Sequence, residues 1–239
     1  MKITWVLRTL LFSFLQFSSI IIFSTLGLVL YFFSDKIKYI YITWWISFVM
    51  FLLKFVSGVK YQLHGQENIQ EGESGLILAR HESTWETFAF QQIFPRQAFV
   101  LKKELLKIPL FGWGLQMSSP IAIDRGAGRK ALKQVLEQGV SKLEENIWVV
   151  IFPEGTRMPS NKIGKINSGG ALLAQKSKAN TYLVTHNAGR CWAAKKWLIK
   201  PGVVDVYISP PLDLDNLTTK EINNLTEEWF KSHLDPATD

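Results

Sequence analysis

The stretch SGLILARHESTWETF, residues 74–88, joins an apolar run to a polar turn and then to an amphipathic segment. The apolar run at residues 74–79 is short and continuous, which predicts a buried β-strand. The segment at residues 84–93 follows a polar turn and predicts a helix. A strand that leads at once into a helix is the unit from which α/β sheets are built.

The same alternation continues along the chain after residue 60, and Pro210-Pro211 marks a break before an acidic last helix. Apolar runs predict further strands at residues 98–101, 121–123, 147–152, 182–185 and 203–208. Amphipathic runs predict further helices at residues 127–143, 169–179 and 219–234. We therefore expect an α/β domain over residues 61–239, with a mixed, largely parallel sheet flanked by helices.

The polar turn holds the first candidate for chemistry. His81 and Glu86 are five residues apart, which places them about 140° apart on a continuous helix. They can meet if His81 lies in the turn and Glu86 in the first helical turn, and Ser83-x-x-Glu86 matches a capping box with Ser83 as N-cap. A histidine oriented by a carboxylate is the base half of a catalytic triad, and it can deprotonate a substrate hydroxyl directly. The alternative is that Glu86 only caps the helix.

The N-terminal quarter of the chain is strongly apolar. Residues 9–33 contain no charged side chain, and a second apolar run follows at residues 39–53. About 20 apolar residues cross the hydrocarbon core of a bilayer. Residues 1–60 are therefore predicted to be membrane-associated helices, either as two spans or as a hairpin that dips into one leaflet. A cleaved signal peptide fits less well, because 25 uncharged residues exceed its usual apolar core and no small-residue cleavage site follows.

Composition limits the function classes. The 239 residues include a single cysteine, Cys191, which excludes a disulfide framework within the chain. The net charge is +7, and the excess lies in residues 1–210, whereas residues 211–239 are acidic. This field suits an anionic membrane surface or an anionic substrate. Nucleic acid is not expected as a partner, because the basic residues alternate with apolar membrane-like segments and no recognition motif is present.

A second candidate segment is IWVVIFPEGTRMPS, residues 147–160, in which an apolar strand ends in a turn. Gly155 allows close backbone approach, and Thr156 and Arg157 offer a hydroxyl and a bidentate fork for phosphate. Glu154 can accept a hydrogen bond from a substrate hydroxyl. The simpler alternative is an ordinary strand exit with a solvated arginine.

A third segment lies between these two. Lys102, Lys103 and Lys107 precede the apolar run IPLFGWG, and Arg125 follows the strand predicted at residues 121–123. If the strands are parallel, Arg125 lies at the same sheet edge as His81. The alternatives are a solvated lysine face and an Asp124–Arg125 ion pair. No metal site is expected, because there is no H-E-x-x-H motif and the other three histidines, His64, His186 and His233, lack ligand spacing.

Taken in order, these segments resemble the glycerophospholipid acyltransferase family, in particular the bacterial membrane type of 1-acyl-sn-glycerol-3-phosphate acyltransferases. The family shows HxxxxD, then a Lys- and Pro-containing motif with a downstream Arg, then FPEGTR. Here they correspond to His81…Glu86, KELLKIPLFG at residues 103–112 with Arg125, and FPEGTR at residues 152–157. The match covers residues 75–190. The chain departs from the family in carrying Glu86 for Asp and Leu183 where a later strand has Pro.

The resemblance implies a fold of the glycerolipid acyltransferase type and a mechanism. His81, oriented by Glu86, would take the proton of the sn-2 hydroxyl of lysophosphatidate, and the alkoxide would attack the thioester of acyl-CoA or acyl-carrier protein. No cofactor is implied beyond this acyl donor. The membrane bilayer would be a partner, with the site facing the cytoplasm at a bacterial inner membrane. The implied binding residues are Lys103, Arg125, Thr156 and Arg157 for phosphate, and Glu154 and Gly155 for the glycerol pocket.

Two other functions stay open on the sequence. The chain could be an acyltransferase of the same superfamily that acts on another lysolipid, glycerol-3-phosphate or an aminolipid, because the motifs share the chemistry and leave the acceptor open. It could also be a membrane-tethered lipid-binding protein with a degenerate site. The intact His81, Glu86, Glu154 and Arg157 argue against this second function.

Overall fold

A computed structural model describes residues 2–70 and 72–234. These residues form a seven-stranded sheet with the strand order β1-β7-β6-β2-β5-β3-β4. All neighbouring strands are parallel except β6 and β7, which confirms the mixed, largely parallel sheet. The strands are β1 (Val59–His64), β2 (Gly75–Ala79), β3 (Gln97–Lys102), β4 (Ile121–Ile123), β5 (Trp148–Ile151), β6 (Asn180–His186) and β7 (Gly202–Ile208).

Helices lie before, between and after these strands. The four helices that the amphipathic runs predicted are present, with ends that differ by two residues or fewer. Strand β1 and the short helix α4 were not predicted: β1 is half exposed and lacks a continuous apolar run, and α4 contains two glycines. The helices are α1 (Lys2–Gly27), α2 (Asp35–Phe55), α3 (Trp85–Ile93), α4 (Phe111–Gln116), α5 (Arg129–Glu144), α6 (Gly169–Ser177) and α7 (Thr219–Ser232).

Both faces of the sheet are covered, as the alternation of side chains along a strand requires. In β2, Ile77 and Ala79 belong to one apolar core with residues of α2 and α3. Leu76 and Leu78 belong to a second core with residues of α5 and α6. All five residues of β2 are buried, so this strand is central to the domain. A strand buried on both faces reads as an unbroken apolar run, which is why the sequence identified it.

The two N-terminal helices form an antiparallel hairpin. The Trp45 indole N–H donates to Ser19 Oγ at 3.0 Å, and the Tyr41 hydroxyl donates to the Phe23 carbonyl at 2.8 Å. Both helices are long and apolar enough to cross a membrane, and only 17% of the most apolar window of the first is buried against the protein. The value for the second is 39%, because one face of α2 packs on the core of the domain.

Helix α1 is attached to the domain near both of its ends. Near its start, Thr9 Oγ1 accepts a hydrogen bond from the Ile199 backbone N–H at 3.1 Å. Near its end, Ser24 Oγ donates to the Leu110 carbonyl at 2.9 Å. The 15 residues between Thr9 and Ser24 correspond to about 22 Å of helix. The domain therefore runs beside the hairpin over most of its length.

Candidate active site

The parallel strands bring the candidate segments to one edge of the sheet. Strands β2, β3, β4, β5 and β6 all run in the same direction, so their carboxyl ends lie together. His81 follows β2, and the FPEGTR loop follows the neighbouring strand β5. Arg125 follows β4, as the parallel arrangement required. Ligand sites of open α/β sheets lie at this edge.

His81 and Glu86 form a close pair. His81 Nδ1 lies 2.7 Å from Glu86 Oε1, and the Glu86 side chain is fully buried, whereas the His81 side chain is 16% exposed. The imidazole stacks on the ring of Phe152 with centroids 4.1 Å apart. Because Nδ1 is held by the carboxylate, Nε2 is the ring nitrogen that remains for another partner.

Glu86 is both a cap and an orienting group. Its Oε1 accepts hydrogen bonds from the backbone N–H groups of Glu82 and Ser83, at 3.1 and 2.9 Å, in addition to the bond with His81. The helix begins one residue later than expected, so Thr84 and not Ser83 is the N-cap, and Ser83 Oγ accepts from the Trp85 N–H instead. One carboxylate therefore satisfies the turn and holds the imidazole, and the two explanations of Glu86 are compatible.

Burial alone would raise the pKa of the Glu86 carboxyl. The positive charge on His186 and the hydrogen bond to His81 outweigh this, and the pKa lies below its ordinary value. Glu86 is therefore a carboxylate at neutral pH, as an acceptor for a protonated His81 has to be.

The FPEGTR loop turns sharply beneath His81. Gly155 has φ of +70°, a left-handed conformation that glycine adopts without steric cost, and its N–H donates to the Phe152 carbonyl at 2.9 Å. Directly after Arg157, the N–H of Met158 donates to the His81 carbonyl at 2.7 Å. The loop is thus tied directly to the residue that it faces.

Glu154 has a different position from the one expected of a substrate ligand. Its carboxylate is 6% exposed and accepts hydrogen bonds from the His81 N–H at 3.2 Å and the Gly164 N–H at 2.8 Å. Burial raises the pKa of Glu154, and these two bonds offset only part of that effect. The side chain joins the His81 turn to the loop, while the backbone of its neighbour Gly155 lines the cavity.

Four basic side chains line a cavity beside His81. Arg125 and Arg157 line the cavity, and Arg125 Nη1 donates to the Gly155 carbonyl. Lys103 is instead paired with Asp124 and is not among the lining residues. Lys102 and Lys195 line the cavity as well. Lys102 ends β3 and could have been chosen from its position at a strand end, whereas Lys195 lies in a loop far along the chain that no motif marks.

The cavity has a volume of about 410 Å³ and extends from His81 to the N-terminal hairpin. The polar part of its lining, called the mouth here, includes His81, Thr156 and the basic residues, whereas the rest of the wall is apolar and is shared by the hairpin, α3, β3 and α4. The apolar wall is formed largely by Ile20, Phe23, Ile42, Trp45, Ile46, Phe88, Phe99, Leu101, Leu105, Phe111, Leu115 and Met117. Such a cavity can hold a molecule with a charged head and a hydrocarbon chain.

A buried ionic network supports the His81 turn, and no motif in the sequence predicted it. Arg80 Nη2 donates to the carbonyls of Pro159 and Lys162 at 2.8 and 2.9 Å, and lies 3.3 Å from Glu82 Oε2. Glu82 Oε1 accepts from the Gly189 N–H at 2.8 Å. The hydrogen bonds of Arg80 and of Glu82 join residues about 80 or more positions apart. No local pattern reports such contacts, and so no motif could have identified Arg80 and Glu82.

Within residues 2–70 and 72–234, no group of three or more His, Cys, Asp or Glu side chains is placed to hold a metal ion.

Three comparisons relate the chain to known proteins. Residues 60–189 match the acyltransferase family model. The chain is 40% identical over 188 residues to a 1-acyl-sn-glycerol-3-phosphate acyltransferase of Pseudomonas aeruginosa, covering 77% of this chain and 73% of the relative. A protein of the same name from Saccharomyces cerevisiae is 28% identical over 184 residues, covering 74% of this chain and 59% of the relative.

The fold is also that of a solved structure. The crystal structure of the 1-acyl-sn-glycerophosphate acyltransferase from Thermotoga maritima superimposes with a TM-score of 0.78, covering 98% of this chain and 97% of that one at 23% identity. The matched family region contains the His81–Glu86 pair and the whole FPEGTR loop. With a family model over more than half of its length and a relative at 40% identity, the chain belongs to the acyltransferase family.

Proposed function

We propose that this chain transfers an acyl group from a thioester donor to the sn-2 hydroxyl of lysophosphatidate, giving phosphatidate. The observation that carries the proposal is the 2.7 Å contact between His81 Nδ1 and the buried Glu86, beside a cavity that is lined by basic residues in one part and by apolar residues in the rest. The names of the bacterial and yeast relatives support lysophosphatidate as the acceptor.

The proposed chemistry begins with His81. Its Nε2 accepts the proton of the sn-2 hydroxyl while Nδ1–H stays on Glu86, which stabilises the imidazolium. The alkoxide oxygen attacks the thioester carbonyl and forms a C–O bond and a tetrahedral oxyanion. The oxyanion collapses, the C–S bond breaks, and the imidazolium returns its proton to the departing thiolate. The residues are then as they began, with one ester formed and one thiol released.

The basic residues at the mouth would bind the phosphate. Arg125 and Arg157 line the cavity, and Thr156 offers a hydroxyl beside them. Lys103 would take part only by leaving Asp124, whereas Lys102 already faces the cavity. For the glycerol, Gly155 supplies backbone at the wall, and Glu154 acts by fixing the loop that carries it.

The apolar interior of the cavity would receive a hydrocarbon chain. Its wall includes residues of both hairpin helices, so a chain bound there reaches from His81 towards the membrane-facing side. We propose acyl-CoA or acyl-carrier protein as donor, since both present an acyl thioester on a water-soluble carrier.

We propose further that residues 1–60 are the membrane-associated part and residues 61–239 the acyltransferase domain. The domain lies beside α1 from Thr9 to Ser24, which leaves little of this helix free to cross a core of about 30 Å. This favours a hairpin inserted in one leaflet over two spans. Lys54, in the last turn of α2, and Lys60 just after it lie at the open end of this hairpin and favour the cytoplasmic face of a bacterial inner membrane.

The acceptor can be tested with purified protein in detergent. Lysophosphatidate, glycerol-3-phosphate and a neutral lysolipid are each offered with one acyl-CoA, then with acyl-carrier protein, and thiol release is followed. We expect turnover with lysophosphatidate only. Arg157→Ala should raise the KM for lysophosphatidate about 10-fold or more, because a charge-assisted bond to phosphate contributes about 1.5–3 kcal/mol.

Lys220→Ala is the matched control, since it removes one positive charge from an exposed position on α7, away from the cavity. Its KM should equal that of the wild type. Turnover of the neutral lysolipid at a comparable rate, with Arg157→Ala equally impaired on both acceptors, would contradict a phosphate site at Arg157. Absence of turnover with every acceptor and donor would remove the proposed reaction.

The membrane topology can be tested by labelling. A cysteine at Ser34, an exposed residue between the two helices, should stay unlabelled when spheroplasts are treated with a membrane-impermeant maleimide. In a two-span arrangement, Ser34 would face the periplasm and react. The native Cys191 does not interfere, because burial raises the pKa of its thiol to about 11.

Lys220→Cys, on the surface of the domain, is the control for this experiment. It should react only after the membrane is made permeable, which would locate the domain in the cytoplasm. Reaction of the Ser34 variant in intact spheroplasts would show two spans, and reaction of the Lys220 variant there would reverse the proposed orientation.

A further inference from the structure

A second histidine lies behind Glu86, on the side away from His81. His186 ends β6, and its side chain is fully buried. Its Nε2 lies 3.9 Å from Glu86 Oε2 and donates a hydrogen bond to the Arg80 carbonyl at 3.2 Å. The rings of Trp85 and Phe90, both on α3, pack around the imidazole with centroids 6.0 and 5.8 Å away.

The two oxygens of Glu86 have unequal surroundings. Oε1 accepts from His81 and from two backbone N–H groups. Oε2 is buried and has no hydrogen-bond partner among the described residues. Nε2 of His186 lies 3.9 Å from this oxygen. A buried carboxylate oxygen without a hydrogen bond is costly unless a positive charge lies close by.

The charges around His186 also favour a protonated imidazole. Two carboxylates, Glu82 and Glu86, and one guanidinium, Arg80, are each exposed by 1% or less. Arg80 lies next to Glu82, so Glu86 has no permanent cation of its own. An uncompensated buried charge is strongly destabilising. His186 is placed between the two carboxylates, with Nδ1 3.6 Å from Glu82 Oε1, and its protonation would balance the cluster.

We propose that His186 is a positioning residue for the acyl transfer: as an imidazolium behind Glu86, it keeps this carboxylate charged and turned so that Oε1 faces His81. The inference rests on the proposed function for its effect on turnover, but its charge state can be measured without it. His186 does not line the cavity, and so it acts only through Glu86.

The electrostatic balance at His186 supports this arrangement. Burial lowers the pKa of a histidine, but the negative charges of Glu86 and Glu82 outweigh burial and the opposing charge of Arg80, and the pKa of His186 lies above its ordinary value. The effect is reciprocal, because the charge of His186 is the main factor that lowers the pKa of Glu86 against its burial.

The neutral form of His186 would have a different hydrogen bond from the imidazolium, and this difference makes the inference testable. A neutral His186 would accept the Ala188 backbone N–H at Nδ1, where the two nitrogens are 3.3 Å apart. The imidazolium gives up that bond and directs Nδ1–H towards Glu82. The ¹⁵N chemical shifts of the ring nitrogens distinguish the two states directly.

The chain has four histidines, so selectively ¹⁵N-labelled histidine gives four ring systems to assign in the full chain in detergent. We expect one imidazolium to persist at pH 7, above the ordinary histidine pKa of about 6.5. This signal should vanish in His186→Gln, which keeps a donor for the Arg80 carbonyl and loses the charge. His64→Gln, which removes the histidine paired with Asp205 on the far side of the sheet, should leave the signal in place.

The same variants test the effect on turnover. His186→Gln should lower kcat about 10- to 100-fold with little change in KM, the cost typical of removing a partner that orients a catalytic group. The acid limb of the kcat profile should move to higher pH, because loss of the nearby positive charge raises the pKa of Glu86. His64→Gln should change neither quantity.

A neutral His186 at pH 7 in the wild type would overturn the inference, and this measurement needs no variant. An unchanged kcat and acid limb in a folded His186→Gln would overturn it as well. Should the wild type fail to acylate lysophosphatidate while the persistent imidazolium is observed, the proposed reaction is wrong and the charge state of His186 stands.

Discussion

Replacement of His81 by alanine should lower kcat/KM about 100- to 10,000-fold, which corresponds to about 3 to 5 kcal/mol of transition-state stabilisation. The loss should lie in kcat, because Nε2 would contact only the hydroxyl that reacts, and the arginines that would hold the phosphate are unchanged. The measurement is thiol release at saturating lysophosphatidate and donor, together with thermal unfolding of the same preparation.

His64→Ala is the matched control for this loss. His64 Nε2 lies 3.0 Å from Asp205 Oδ1, so it also pairs with a carboxylate, but it does not line the cavity. It should retain wild-type turnover. Wild-type turnover in a folded His81→Ala would end the proposed mechanism, whereas a comparable drop in melting temperature and activity for both variants would point to a structural role.

Glu86→Gln should lower kcat by about 100-fold or more while the protein stays folded. The remaining amide oxygen can still accept the Glu82 and Ser83 N–H groups, so the turn keeps its cap at a cost of about 1 kcal/mol. The negative charge that would stabilise a protonated His81 is lost. The experiment thereby separates the two roles that one carboxylate combines.

Glu86→Asp completes this experiment, because aspartate is the acid of the family motif that the sequence resembles. It keeps the charge and should restore much of the activity that Gln loses. Because the pKa of Glu86 lies below its ordinary value of 4.5, the stability that its ionisation contributes is complete above pH 4.5 and declines as the pH falls through the lowered pKa. Near-wild-type activity in Glu86→Gln would reduce Glu86 to a helix cap.

The sequence predicted the parts of the fold that depend on local pattern. The buried strand at residues 75–79 and the apolar strand before FPEGTR are continuous apolar runs, so their place in a parallel sheet and the meeting of their carboxyl ends followed. The pairing of His81 with Glu86 also followed, because five residues of turn and helix start bring them together. Strand β1 was missed since its exposed face breaks the apolar pattern.

The remaining features of the site depend on contacts between distant residues. Lys102 and Lys103 are adjacent and chemically identical, and only the end of β3 decides that one lines the cavity while the other meets Asp124. By sequence, Glu154 is a possible substrate ligand, and only the structure shows that its carboxylate accepts hydrogen bonds from the N–H groups of His81 and Gly164. His186 was considered only as a metal ligand, because no spacing in the sequence relates it to Glu86, 100 residues away.

The hairpin forms one wall of the cavity, and this has a consequence for how the protein matures. The hairpin leaves the ribosome before the strands β1 to β7, and its apolar surface can enter a bilayer before the chain that forms the opposite wall has been made. The cavity is complete only when the later strands dock against the hairpin helices. The protein would therefore become active only at the membrane, where its proposed lipid substrate is found. A truncated chain that begins at β1 would lack one wall of the cavity as well as the proposed membrane anchor.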